Sequence, residues 1–379
     1  MKKWVWGLLA VLSVSAWLCL PISAADAQTD YGTLPDEYVA LESYLPDSLV
    51  GLLPDGLFSS DVQDVQAALS QLTSFSGLVS LLLDMVGLHL SESGALLASI
   101  CGLLLLCGMM RAVGNAWNMK WASIAPRICL FTAVAGAGYA AVHAMIEYFS
   151  VLKTLMNGLL PMMSVMYLLG GNLSRATAGN AVLTVGLNVC RTVCAEMAPP
   201  LFGACMAMML PTVLESGLDL SRLSGFLKKG YTSVLGVLTF ILTLCLSVQN
   251  LLASRTDNLA MRSGRYAIGQ MIPVVGGALS GTLDTLAAGV GMLRGMAGTC
   301  GVILLLLCCL PVLVRMLLLR TLFDIGSGMA HVMGCTAEST VLTEASSLFG
   351  YMAAAVAMCT AVFIIAVGAF AACAAAWVS

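Results

Sequence analysis

The sequence predicts an all-α protein, a bundle of helices that crosses a membrane several times, and three observations carry that prediction. Of the 379 residues, 59% are hydrophobic and only 10% are charged, whereas a soluble domain carries about 25% charged residues. The mean hydropathy is +0.95. Apolar runs near the roughly 20 residues that a transmembrane helix needs recur along the chain. Because so few charges cannot cover a water-facing surface, lipid must solvate most of the protein.

The first residues have the pattern of an export signal. Two lysines precede an apolar run from Trp4 to Leu20, and small residues follow it. Residues 25–27 (ADA) fit the small-x-small pattern of a cleavage site, with residues 23–25 as a second option. We therefore predict a signal peptide over residues 1–27, with an uncleaved first helix as the alternative. Both interpretations place the following segment outside the cytoplasm.

Residues 28–93 are predicted to form a small exported helical segment. The tripeptide Leu-Pro-Asp occurs there three times, starting at Leu34, Leu45 and Leu53. Proline and aspartate both favour the first turn of a helix, so these copies indicate short helices or turns. A further helix is expected to open at Asp61. Residues 76–90 are apolar but short for a span, which favours an interfacial or re-entrant helix.

The polytopic transmembrane domain is predicted over residues 94–379. Five uninterrupted apolar runs are good spans: 94–112, 128–148, 231–253, 297–319 and 351–377. Further candidates are shorter or interrupted: residues 155–171, broken by Pro161, and the pair 177–195 and 199–214, split by Pro199 and Pro200. Broken helices persist at membrane depth only where protein or a cavity satisfies the freed backbone groups. We therefore expect residues 155–214 to line the interior of the bundle.

Basic residues beside the spans give a predicted orientation, because cytoplasmic loops are enriched in lysine and arginine. With an exported N-terminal segment, the first span runs from outside to inside. Most basic residues that follow then lie on the cytoplasmic side, among them Arg111, Arg127, Arg175, Lys228 and Arg320. The weakest point is the cluster Arg255–Arg265, which falls outside. A re-entrant segment at 271–296 would alter the later spans.

Functions that need a catalytic constellation are disfavoured. The histidines, His89, His143 and His331, are scattered, and no HExxH, GxSxG or Walker A pattern occurs. Cys190 and Cys194 are one helical turn apart, but no histidine or carboxylate cluster accompanies them, so packing is favoured over a metal site. We predict no catalytic residue, no metal and no cofactor. The net charge of -3 is too small to indicate a nucleic-acid partner.

Two kinds of residue are candidates for helix packing or for a path through the bundle. Ionisable groups near membrane depth are functional candidates by default, which selects Arg191 and Asp284, although an interfacial position is the plainer interpretation of both. GxxxG spacing lets helices approach closely in lipid, within one chain or between copies. It occurs at two places. The complete predicted set is Pro161, Arg191, Pro199, Pro200, Gly277, Gly281, Asp284, Gly291 and Gly295.

Several stretches resemble a known family. One closes the exported segment, from Leu53 to Phe58 (LPDGLF). The others are Leu227–Thr232 (LKKGYT), Ser247–Ser254 (SVQNLLAS), Arg262–Ala267 (RSGRYA) and Ile272–Ala278 (IPVVGGA). Together they resemble stage III sporulation protein AE of endospore-forming bacteria. The resemblance covers most of the chain, and residues 227–325 are its most specific part.

The resemblance implies a multi-pass protein of the outer forespore membrane, which is the membrane of the mother cell around the forespore. It implies a non-enzymatic subunit of a channel-like, secretion-like complex required for endospore formation. The implied partners are the other products of the stage III sporulation A operon and a partner in the forespore, besides membrane lipid. Homo-oligomerisation stays open. The family defines no catalytic residues, so the resemblance implies none here.

The alternative function is a self-contained secondary transporter or permease. Discontinuous helices and inverted repeats mark that class, and residues 155–214 and 271–296 would supply the discontinuous elements. The sequence shows no clear symmetry between these two regions. An intramembrane enzyme is the weakest hypothesis, because no nucleophile is paired with a base.

Overall fold

A computed structural model describes most of the second half of the chain and the middle, but only fragments before residue 94. The described residues are 56–59, 61, 63–65, 67–68, 87, 94–112, 124–169, 173–213, 221–271 and 276–372. Within these ranges the backbone is helical apart from short turns, and no strand occurs. The all-α prediction is confirmed.

Long helices make up the described bundle. They are α1 (Gly94–Ala112), α2 (Ile124–Leu169), α3 (Leu173–Arg191), α4 (Ala198–Val213), α5 (Ser221–Met271), α6 (Gly276–Val332) and α7 (Thr336–Ala372). Six segments of the described chain are long and apolar enough to cross a membrane. One of them, Gly179–Pro211, takes in most of α3 and α4 together. The multi-pass prediction is therefore confirmed.

Pro161 does not interrupt its helix, contrary to the prediction. Helix α2 continues through it for 46 residues, about 69 Å at 1.5 Å per residue, so the predicted spans 128–148 and 155–171 belong to one helix. A proline inside a helix removes one backbone hydrogen bond and crowds the carbonyl four residues earlier. Here Pro161 lies on the exposed face of α2. Arg127 lies in the first turn of α2, and Arg175 lies in the first turn of α3, beyond the other end of α2. The two are therefore not on one side, as the two-span prediction had them.

The predicted break near Pro199 and Pro200 is present as a change of helix type. Residues Thr192–Glu196 form a π-helix, in which the N–H of Met197 donates to the carbonyl of Thr192 at 3.2 Å. The two prolines then occupy the first turn of α4, where their missing N–H groups are best tolerated. The wider π turn gives the carbonyls that precede them more room. The predicted pair 177–195 and 199–214 thus forms one candidate span, Gly179–Pro211, with a π-helix in its middle.

Helices α6 and α7 form an antiparallel hairpin that is the spine of the bundle. Gly334, in the turn, has φ +75°, a conformation that favours glycine. Phe323 and Phe349 stack near the turn with ring centroids 5.3 Å apart. Farther along, the hydroxyl of Thr360 donates to the sulfur of Cys309 at 3.3 Å. The two helices thus stay in register over most of α7.

Helix α2 packs along the whole hairpin, parallel to α7. Near its first turns Arg127 meets Glu338, and near its last turn Tyr167 contacts Phe370 edge to face at a centroid distance of 5.1 Å. Between them the hydroxyls of Tyr148 and Thr360 are hydrogen-bonded at 2.6 Å. The core of the protein lies between these three helices, with α3, α4 and α5 closing one side.

Little of residues 28–93 is described, but part of the described stretch 56–68 joins the core. The carboxylate of Asp61 accepts a hydrogen bond from the N–H of Gln63 at 2.9 Å, which is the geometry of a helix N-cap. A helix opens there as predicted, and its described part reaches Ala68. Leu57 and Val65 are buried. The signal peptide and all of the 76–90 segment except Gly87 lie outside the described residues.

Candidate functional site: charged side chains buried at one end of the bundle

A buried ion pair joins the first turn of α2 to the first turn of α7. The Nε atom of Arg127 lies 2.8 Å from Oε1 of Glu338, and the two side chains are only 4% and 3% exposed. The two residues are 211 positions apart in the chain. Moving a charged group out of water costs several kcal/mol even after relaxation, so such groups persist only when they are paired. This contact therefore fixes how α2 and α7 meet.

A second pair joins α5 to α7 about two turns farther along. Nζ of Lys228, whose side chain is 2% exposed, lies 2.5 Å from Oε2 of Glu344. It also donates to the carbonyl of Glu344 at 3.1 Å and to the hydroxyl of Ser347 at 2.7 Å. An ammonium group has three N–H donors, and all three are used here. The hydroxyl of Ser224 donates to the same carboxylate oxygen at 2.9 Å.

Further polar contacts surround the two pairs. The hydroxyl of Ser346 donates to the carboxylate of Asp324, which links the two arms of the hairpin. Ser327 and Thr343 are hydrogen-bonded at 2.6 Å one turn nearer the hairpin turn. We call the set Arg127, Lys228, Asp324, Glu338 and Glu344 the hairpin-end cluster. It ties α2, α5, α6 and α7 together at one end of the bundle.

Helix α1 joins the same end. The guanidinium of Arg111 donates to the carbonyl of Gly334 in the hairpin turn at 2.5 Å. The guanidinium of Arg320 lies against Gly350 on the other arm of the hairpin. Arg111, Arg127, Lys228 and Arg320, which the sequence predicts on one side of the membrane, therefore do lie at one end of the bundle. Which side that end faces stays a prediction.

The chemistry of this end favours pairing over reaction. Burial and the nearby Glu338 raise the pKa of the Cys335 thiol above its usual value, so the thiol stays protonated and is a poor nucleophile at neutral pH. Among the described residues no group of three or more histidine, cysteine or carboxylate side chains has the arrangement to hold a metal ion. The cluster as described consists of ion pairs and hydrogen bonds that hold these helices together.

A third buried cysteine, Cys359, lies beside the pair Cys190 and Cys194. Sγ of Cys194, in the π-helix, lies 3.1 Å from Sγ of Cys359 in α7, and both residues are fully buried. Cys190 is buried one turn earlier. These thiols pack between the span Gly179–Pro211 and α7, as expected for cysteine packed as a small apolar side chain.

None of the predicted candidate residues belongs to the hairpin-end cluster. Arg191 is half-buried and is the last residue of α3, directly before the π-helix. Pro199 is half-buried, and Pro161 and Pro200 are exposed. Of the Gly-rich stretch, four residues lie in the first turns of α6, where only the backbone is described: Gly277, Gly281, Asp284 and Gly291.

Among the described glycines of this region, the close helix approach occurs one turn after Gly295, at Gly298. A Cβ built on Gly295 would have open space around it, whereas one built on Gly298 would lie 2.5 Å from Cβ of Ala371. At Gly301 it would lie 3.0 Å from a methyl group of Val367. The signal was present in the sequence as glycines repeated every three residues, which line one face of a helix.

Sequence reasoning missed the acidic half of the hairpin-end cluster. Asp324, Glu338 and Glu344 lie in the polar residues on both sides of the hairpin turn, which looked like an ordinary loop flank. The signal was that these three acids flank the same spans as the basic residues that gave the orientation. Which acid meets which base depends on tertiary contacts that a single sequence does not contain.

Comparisons with known proteins agree with this architecture. The family model for stage III sporulation protein AE matches residues 59–374. "Stage III sporulation protein AE" of Bacillus subtilis (strain 168) is 20% identical over 275 residues, which cover 72% of this chain and 69% of that protein. No solved structure matches the chain. Because the family model covers most of the chain, including every helix described above, the protein belongs to the stage III sporulation protein AE family.

Proposed function

We propose that this protein is a non-enzymatic, multi-pass membrane subunit of a channel-like or secretion-like complex between mother cell and forespore that is required for endospore formation. Membership in the stage III sporulation protein AE family carries the proposal. The proposal includes insertion into the outer forespore membrane and association with other products of the stage III sporulation A operon and with a forespore partner.

The lengths of the helices support a role within a larger assembly. Helix α6 has 57 residues and α7 has 37, which correspond to about 86 Å and 56 Å. The hydrocarbon core of a bilayer is only about 30 Å thick. Both helices therefore extend beyond the lipid and present helical surfaces to proteins on at least one side of the membrane.

The proposal is tested by deleting the gene in its own spore-forming host and supplying it again from promoters active in one compartment. We expect the deletion strain to grow normally but to stop after engulfment of the forespore. Expression in the mother cell alone is expected to restore heat-resistant spores, because the outer forespore membrane derives from that cell. Normal spores in the deletion strain would contradict the proposal. Rescue by forespore expression alone would contradict the outer-membrane location.

A self-contained transporter is a second candidate, and the π-helix that interrupts the span Gly179–Pro211 is the observation that favours it. Discontinuous helices at membrane depth are typical substrate sites of secondary transporters. The purified protein in liposomes would then move a solute along an imposed ion gradient without partners. Under the first proposal the protein alone is expected to be inactive in this assay.

A further inference from the structure

Helix α2 carries two seams that run along opposite faces, and only one of them is covered. The first seam is apolar and buried, with every member at most 3% exposed: Ala141, Met145, Tyr148, Leu152, Leu155, Leu159, Met162 and Met166. Its spacing alternates four and three residues, as in helices packed side by side along their length. This seam contacts the α6–α7 hairpin through Tyr148 and Leu159.

The second seam has the same spacing but is exposed and polar. It consists of His143, Glu147, Ser150, Thr154, Asn157 and Pro161, all of them exposed. From His143 to Pro161 it is about 27 Å long at 1.5 Å per residue, close to the roughly 30 Å of a hydrocarbon core. We call these six residues the polar seam.

The polar seam lies at a depth where the two arms of the hairpin carry no charge, and where Arg191 and Glu196 flank Cys194, which contacts Cys359. Tyr148 is level with Thr360, and Tyr167 is level with Phe370. At that level residues 295–314 of α6 and residues 345–372 of α7 contain no acidic, basic or histidine side chain. A carboxylate, an imidazole and an amide facing lipid there would be costly, so polar groups in a span normally face protein or water.

The side chains of the polar seam match those of an identical helix. Glu147 and His143, one turn apart, supply an acid and a base, and Ser150, Thr154 and Asn157 can each donate and accept hydrogen bonds. In a parallel pair the acid–base contact is diagonal, from Glu147 of one helix to His143 of the other, one turn away, so that each copy supplies both partners. Two copies inserted with the same topology can pair through α2 only in parallel, which brings equal residues to equal depth.

We infer that the polar seam is the contact between α2 helices of two copies of this protein in the membrane. Interhelical hydrogen bonds between serine, threonine, asparagine and histidine side chains drive such association in lipid. This interface is separate from the GxxxG motif in α6, which the sequence offered as the self-association site. The inference does not rest on the sporulation role, since it concerns the protein in any bilayer.

The test is oxidative cross-linking of single introduced cysteines in membranes, in the full chain. The background carries Ser in place of Cys129 and Cys245, two exposed cysteines on the described surface. Ser150→Cys, Thr154→Cys and Asn157→Cys are each expected to give a disulfide-linked dimer of twice the monomer mass. Val237→Cys, on the 57% exposed surface of α5, is the matched control and is expected to give none.

A second variant separates specific pairing from collision. Glu147→Leu, combined with Thr154→Cys, is expected to lose most of the dimer while the amount of protein in the membrane stays the same. The absence of a dimer at all three seam positions, or an equal dimer at Val237→Cys, would overturn the inference. Labelling of the seam cysteines by a membrane-impermeant maleimide without any cross-link would overturn it too, because the seam would then face water.

Discussion

Lys228 illustrates how single residues fix the arrangement of this bundle. Its ammonium group is buried against Glu344 and Ser347, with every N–H used. An adjacent lysine, Lys229, is exposed. Replacing a whole buried ion pair by apolar residues is often neutral, but removing one partner leaves an uncompensated charge. Lys228 therefore matters more for holding α5 against α7 than for the net free energy of unfolding.

Lys228→Ala is expected to lower the free energy of unfolding by about 3 kcal/mol, the low end of the range for breaking a buried pair, since Glu344 is partly exposed to water. The measurement is the unfolding midpoint of the purified protein in detergent, with Lys229→Ala as the control. The double variant Lys228→Met with Glu344→Leu is expected to recover most of the loss. An unchanged midpoint for Lys228→Ala alone would show that the pair is not formed.

At the scale of elements, the hairpin depends on glycines that admit a neighbouring helix. Helix α7 comes so close to α6 at Gly298 that a Cβ there would lie 2.5 Å from Cβ of Ala371 and 2.9 Å from its Cα. Three residues earlier, at Gly295, the same atom would meet nothing within 4 Å. Small residues of this kind allow close backbone packing in membrane bundles.

Gly298→Ala is expected to destabilise the protein by about 1–3 kcal/mol, the usual range for overpacking, because the backbone of α7 must shift. Gly295→Ala, on the same helix, is expected to be neutral or slightly stabilising, because alanine favours a helix more than glycine does. Unfolding midpoints of the two variants in detergent give the comparison. Equal midpoints would mean that α6 and α7 are farther apart than described.

Much of the helical structure was predictable from the sequence, and the wrong predictions have physical causes. The span 94–112 was predicted where α1 lies, because it is a single apolar run between polar flanks. The break before Pro199 was predicted because two successive prolines remove two helical donors. Pro161 was misjudged, since one exposed proline costs a helix one hydrogen bond, which the packing of its buried face offsets. Contacts between distant helices have no signature in a single sequence.

At the scale of the whole molecule, the end with the hairpin-end cluster is expected to be cytoplasmic. The last turn of α1, the first turns of α2, α5 and α7, and the turn after α6 all lie at that end. With six candidate spans, the start of α1 and the end of α7 then lie together on the opposite side. The positive-inside tendency and the predicted export signal give this orientation.

Reporter fusions measure the orientation directly. Alkaline phosphatase, which is active only after export, is expected to be active when fused after Ala372 and inactive when inserted after Gly334 in the hairpin turn. A fluorescent protein that folds only in the cytoplasm serves as the inverse control at both positions. Activity of the phosphatase at Gly334 would reverse the assigned sides and would move the hairpin-end cluster outside.

The uninterrupted course of α2 has a mechanical consequence. A continuous helix transmits tilt along its length, and α2 reaches from the ion pair at Arg127 to the aromatic contact at Tyr167, about 60 Å away at 1.5 Å per residue. Its contacts with the hairpin at Arg127, Tyr148 and Tyr167 are therefore coupled through one continuous helix. A force applied to the far end of α2, on one side of the membrane, acts on the Arg127–Glu338 contact on the other.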